Sequence, residues 1–73
     1  MCVHVLYASQ MPDATLVWAR PHGRHTLVIA DQSLAGADNT LSPPGRSAVD
    51  DALAALPGSP SLDTAKPCGE HLL

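Results

Sequence analysis

Three short runs of β-forming residues crowd into the first 31 positions of this chain, and only one later stretch has the periodicity of a helix. Val3, Val5 and Tyr7 alternate with His4, Leu6 and Ala8, the period of a strand. A second run, Thr15-Leu16-Val17-Trp18-Ala19, and a third, Thr26-Leu27-Val28-Ile29-Ala30, are almost continuously apolar. That pattern belongs to strands covered on both faces. Ser9-Gln10-Met11-Pro12-Asp13 separates the first run from the second, as a turn punctuated by proline. Arg20-Pro21-His22-Gly23-Arg24-His25 separates the second from the third, with Pro21 and Gly23 marking a loop of hairpin length.

Val49, Ala52, Leu53 and Leu56 recur at the i, i+3, i+4, i+7 spacing of an amphipathic face. Ser47 is placed to cap that helix, Asp50 and Asp51 suit the positive end of its dipole, and Pro57-Gly58 stops it, so it is expected over 47–56. Ser33 to Asp38 offers at most one helical turn. After Leu56, prolines 57, 60 and 67 alternate with Ser, Gly and Thr without periodicity, the composition of a flexible tail. The expected fold is therefore α+β: a three-stranded antiparallel meander with one C-terminal helix over residues 1–56, and a disordered Pro/Gly/Ser-rich tail over 57–73. A single short helix cannot cover both faces of such a sheet, so one face is left for self-association or a protein partner. Leu16, Trp18, Leu27 and Ile29 are candidate interface residues, with Val3 and Val5 as further sheet-contact positions; Trp18 taken alone reads most simply as core.

Size sharpens that expectation. At 73 residues the chain makes one small domain, and chains near this size bury only about 60% of the surface exposed on unfolding. A disulfide, a metal or a partner subunit usually supplies the missing stability. The net charge of −3 is mild and argues against a general binder of nucleic acid or anionic membrane. No apolar run approaches the roughly 20 residues that cross a bilayer, and no secretory leader is recognisable at the start. A cytoplasmic location is expected, with the two cysteines reduced; the competing Cys2–Cys68 disulfide would close nearly the whole chain. Phe is absent, and Lys66, Asn39 and Ile29 are each the only residue of their kind, as in GC-rich coding sequence. Translated GC-rich frames share that bias, which makes an open frame with no evolved function one of the classes to separate.

The chemistry-bearing residues fall into three close pairs: Cys2 with His4, His22 with His25, and Cys68 with His71. Thiolate and imidazole are the preferred ligands of zinc and its neighbours. Cys2 and His4 are two apart on a strand and share a face. His22 and His25 flank Gly23 in a tight loop, and Cys68 to His71 has C-x-x-H spacing. In a meander the loop between strands two and three lies beside the start of strand one. Cys2, His4, His22 and His25 are accordingly the first candidate metal ligands, with Cys68 and His71 as additions, and zinc is the implied cofactor if one is used. Arg20 and Arg24 in the same loop form a candidate anion-binding pair.

Catalysis finds no support. The serines lack a nucleophile-elbow context, Asp50 and Asp51 diverge on a helix, and no phosphate-cradling glycine motif occurs. The chain reads as a non-enzyme: an accessory or protein-interaction protein, or alternatively a zinc-binding protein using the paired Cys and His residues.

The stretch Gly23-Arg24-His25-Thr26-Leu27-Val28-Ile29-Ala30-Asp31-Gln32-Ser33-Leu34 resembles the front of ImmA/IrrE-type zinc peptidases, the similarity extending over roughly residues 3–56. In that family a similar strand, a leucine and a helix lead into an H-E-x-x-H metal motif. The corresponding helix here reads Val49-Asp50-Asp51-Ala52-Leu53-Ala54-Ala55, with neither histidine nor glutamate. What the resemblance implies is thus a catalytically dead remnant of a metallopeptidase, and no family active-site residue carries over.

Overall fold

The computed structural model describes residues 2–9 and 16–72. Thr15 and most of the turn expected over 9–13 lie outside the described residues. The fold is α+β, with four strands in one mixed sheet and one α-helix among the described residues. Strand β1 runs Cys2–Ala8, β2 Val17–His22, β3 His25–Asp31 and β4 Lys66–Leu72; helix α1 runs Pro43–Ala54.

The strand order is β2-β3-β1-β4, which corrects the expected meander. Strands β2 and β3 do form an antiparallel hairpin. Only Gly23 and Arg24 turn, because the strands extend through Pro21-His22 and from His25, so the loop is shorter than the sequence suggests. Gly23 takes φ 60° at the first turn position, where a two-residue hairpin of this kind needs a residue without a Cβ. Strand β1 pairs parallel with β3 on one side and parallel with β4 on the other. Neighbouring strands in sequence usually pair, and that regularity fails here because the chain's last segment returns to the sheet.

The expected disordered tail is the second correction. Residues 66–72 form edge strand β4, and Leu62 and Ala65 are buried in the core. Proline was the misleading signal. Proline cannot donate to a ladder, but an edge strand has one row of N–H groups without a partner strand. Pro21 and Pro67 lie in β2 and β4, the two edges of the sheet. The tail is held by its backbone as well: Leu62 N–H donates to Asp50 Oδ1 at 2.7 Å, and Ala65 N–H to Ser61 O at 2.8 Å. Asp50 therefore ties the returning chain to the helix, beyond any role with the dipole.

The helix begins earlier than expected, with Ser42 rather than Ser47 as its cap. Pro43 and Pro44 open it, where their missing N–H groups have no intrahelical role. Ser42 Oγ accepts from Gly45 N–H at 3.2 Å and donates to Leu34 O at 2.8 Å, joining the helix start to the 3₁₀ turn Gln32–Leu34. Val49 and Leu53 are fully buried, with Ala52 and Leu56 half-buried, so the apolar face lies where the periodicity puts it. It packs with Val3, Val5 and Tyr7 of β1 and Val28 and Ala30 of β3 into one core. Val3 and Val5, expected as possible contact positions, belong to that core.

Two outcomes check this packing. A Cβ at Gly45 would stand 2.6 Å from Leu34 O. Gly45→Ala is therefore expected to destabilise the fold by about 1–3 kcal/mol, as overpacking does, measured by urea unfolding; an unchanged midpoint would mean that the 3₁₀ turn is not held against the helix. Tyr7, the chain's single tyrosine, is 0% exposed and its hydroxyl donates to Glu70 Oε2 at 3.3 Å. Burial first, then the Glu70 charge and that hydrogen bond, push the phenol from 10.0 up to about 12. The fold prefers the neutral phenol, so this contribution to stability is intact below pH 10.0 and is lost as pH rises through about 12. Phenolate absorbance should titrate near that higher value, and Glu70→Gln should lower it only partly, because burial is the larger cause.

Candidate metal centre

Strand alternation sorts the sheet residues onto two sides. Val3, Val5 and Tyr7, with Thr26, Val28 and Ala30, face the helix. Cys2, His4 and Leu6 of β1 and His25, Leu27 and Ile29 of β3 face the other way. Among the described residues no helix covers that second side. The register carries it across the hairpin: Trp18 lies opposite Ile29, Arg20 opposite Leu27, and His22 opposite His25. Trp18 is 42% exposed, which corrects its reading as core, and Leu16 and Leu72 are 59% and 48% exposed. Of the expected interface residues, Trp18, Leu27 and Ile29 share this open side.

Parallel pairing of β1 with β3 brings the starts of both strands to one end of the sheet, so Cys2 meets His25. Cys2 Sγ lies 3.1 Å from His25 Nδ1. Cys68 reaches the same spot through an irregularity in β4. Pro67 pairs with Val3 and Gly69 with His4, so Cys68 is the extra residue of a bulge. A bulge re-aims a side chain that strict alternation would send elsewhere. The donor atoms of Cys2, His25 and Cys68 all lie within 4.8 Å of one another.

That spacing suits a tetrahedral ion. Zinc bonds of about 2.3 Å to sulfur and 2.0–2.1 Å to nitrogen put neighbouring ligand atoms roughly 3.3–3.8 Å apart. The Cys2–His25 contact is already that short, and the third donor stands within 4.8 Å of both. Both cysteines are free thiols. Hydrogen bonding with the Cys2 thiol, then desolvation and the Cys2 charge, raise the Cys68 thiol above its ordinary value. A metal at this point would displace the Cys68 thiol proton.

The expected pairs of ligands are redistributed. One member of each pair, Cys2, His25 and Cys68, converges here. His4 and His71 come together instead with each other, ring centroids 5.0 Å apart. His22 stands directly across the hairpin from His25, where the Cβ atoms of such a pair are about 4.5–5.5 Å apart. The role of Cys68 was the least accessible to sequence reasoning, because a C-terminal segment rich in proline gives no sign of strand or bulge. The two arginines separate. Arg20 lies over the Trp18 ring at 5.4 Å from its centroid, an attraction of cation and π face. Arg24 lines an open groove of about 320 Å³ between the hairpin turn and Leu56-Pro57-Gly58. Compared with family models, curated proteins and solved structures, the chain matches none of them.

Proposed function

We propose that this is a small non-enzymatic protein that binds a thiophilic transition metal, zinc in the first instance, through Cys2, His25 and Cys68. The observation that carries this reading is the approach of three donor atoms to within 4.8 Å from strands far apart in sequence. Two thiolates and an imidazole form a ligand set that zinc favours over harder cations. His22, opposite His25, or water completes the coordination. Binding ties β1, β3 and β4 at one end of the sheet and so joins both ends of the chain. For so short a chain, such a staple is a folding contribution as much as a cargo site.

Cobalt(II) titration tests it. A first equivalent should bind with a thiolate-to-cobalt charge-transfer band, and its uptake should strengthen as pH rises, since protons leave the thiols on binding. Zinc at a hundredfold excess over Kd should raise stability by about 2.7 kcal/mol. Cys68→Ser should weaken the band by at least half and Cys2→Ser/Cys68→Ser should abolish it; a band of unchanged intensity in Cys68→Ser would overturn the reading.

A second reading has its own support, namely the apolar open side bearing Leu6, Trp18, Leu27 and Ile29 with Trp18 at 42% exposure. An accessory role through self-association would cover that side. Light scattering at tens of micromolar should then give a dimer that Trp18→Asp dissociates, and a monomeric wild type would remove this reading.

A further inference from the structure

His4 and His71 are left outside the cluster of Cys2, His25 and Cys68, and their geometry asks for a ligand of its own. His4 Nε2 is buried and has no hydrogen-bond partner among the described residues. An unpaired buried imidazole nitrogen is a costly arrangement, and such groups are rare in folded proteins. Its nearest ring neighbour is His71, with centroids 5.0 Å apart and planes inclined at 59°.

Gly69 lies beneath both rings. It pairs with His4 across the ladder, while His71 is one pleat further along, beside Leu6. A Cβ at Gly69 would stand 3.2 Å from His71 Nε2 and 3.5 Å from His4 Nε2. Both rings therefore bring the same nitrogen close to one point over the Gly69 backbone, where even a Cβ would crowd His71 Nε2. Imidazole nitrogens converging on a shared space are the ligand pattern of zinc, copper and nickel. We propose that His4 and His71 hold a second transition-metal ion through their Nε2 atoms, distinct from the one bound by Cys2, His25 and Cys68. Two imidazoles leave the remaining coordination positions to water. This all-nitrogen site is weaker than the thiolate site, so it fills second. The open side of the sheet then carries two unlike ion sites side by side.

Zinc titration of the full reduced chain, followed by calorimetry and by histidine-ring ¹⁵N shifts, tests this. Wild type should bind two equivalents, the second moving the Nε2 resonances of His4 and His71. His71 is exposed, so His71→Ala should leave the fold intact, lose the second equivalent and keep the thiolate–cobalt band. Gly69→Ala, which fills the space while retaining both imidazoles, should weaken the second equivalent at least tenfold. The double variant Cys2→Ser/Cys68→Ser should keep one equivalent and the same histidine shifts. Two undiminished equivalents in His71→Ala, or unmoved His4 and His71 resonances in saturated wild type, would overturn the second site without touching the thiolate reading. A missing cobalt charge-transfer band with the histidine shifts present would do the reverse.

Discussion

Strand β1 begins at the second residue of the chain and yet occupies an interior position in the sheet, paired in parallel with β3 and with β4. The rest of the structure is arranged around these two ladders. They bury Val3, Val5 and Tyr7 completely, and these are the floor on which Val49 and Leu53 of the helix rest. They also decide what the opposite side carries, since the residues alternating with that core are Cys2, His4 and Leu6. Core and candidate site are thus two faces of a single strand. A one-residue slip of β1 against β3 would exchange them.

Closing such a sheet requires the chain to travel far from β3 and return. Helix α1 makes that crossing and is tied by two side chains: Ser42 to Leu34 O at its start, and Asp50, within its second half, to Leu62 N–H of the returning chain. The returning segment is confined to an edge by Pro67 and is distorted by a bulge at Cys68. Both features weaken β4 as a strand. Both also serve the open side, the first by keeping an edge that resists further strand addition, the second by delivering a thiol to Cys2 and His25. Gly69, next in sequence, leaves space where His4 and His71 converge.

Many elements were legible in the residues because they rest on local periodicity. The alternation over residues 3–8, the apolar run over 26–30, the hairpin around Gly23 and the helix face at Val49 and Leu53 all follow from side-chain spacing along one element. The helix start was not, because the Ser42 hydroxyl that accepts from Gly45 N–H is itself held by Leu34 O, eight residues away. The fourth strand was not either. Its proline and glycine count against a strand interior, and only its place at an edge makes them acceptable. Trp18 misled for the same reason: an apolar run looks doubly covered, whereas here the second layer is absent among the described residues and the indole carries Arg20 instead.

For the candidate site the division is equally physical. The sequence by itself determined that six residues able to ligate a metal occur as three close pairs, and that two of the pairs flank strand starts. It could not determine which of the six meet. Neighbours in sequence on one strand lie along that strand, whereas the donors that converge lie across strands, and the cross-strand partner of a residue depends on strand order, direction and register. Those are set by burial of the shared core, a property of the whole chain. Parallel pairing joined Cys2 to His25, and a bulge beside the end of the chain added Cys68.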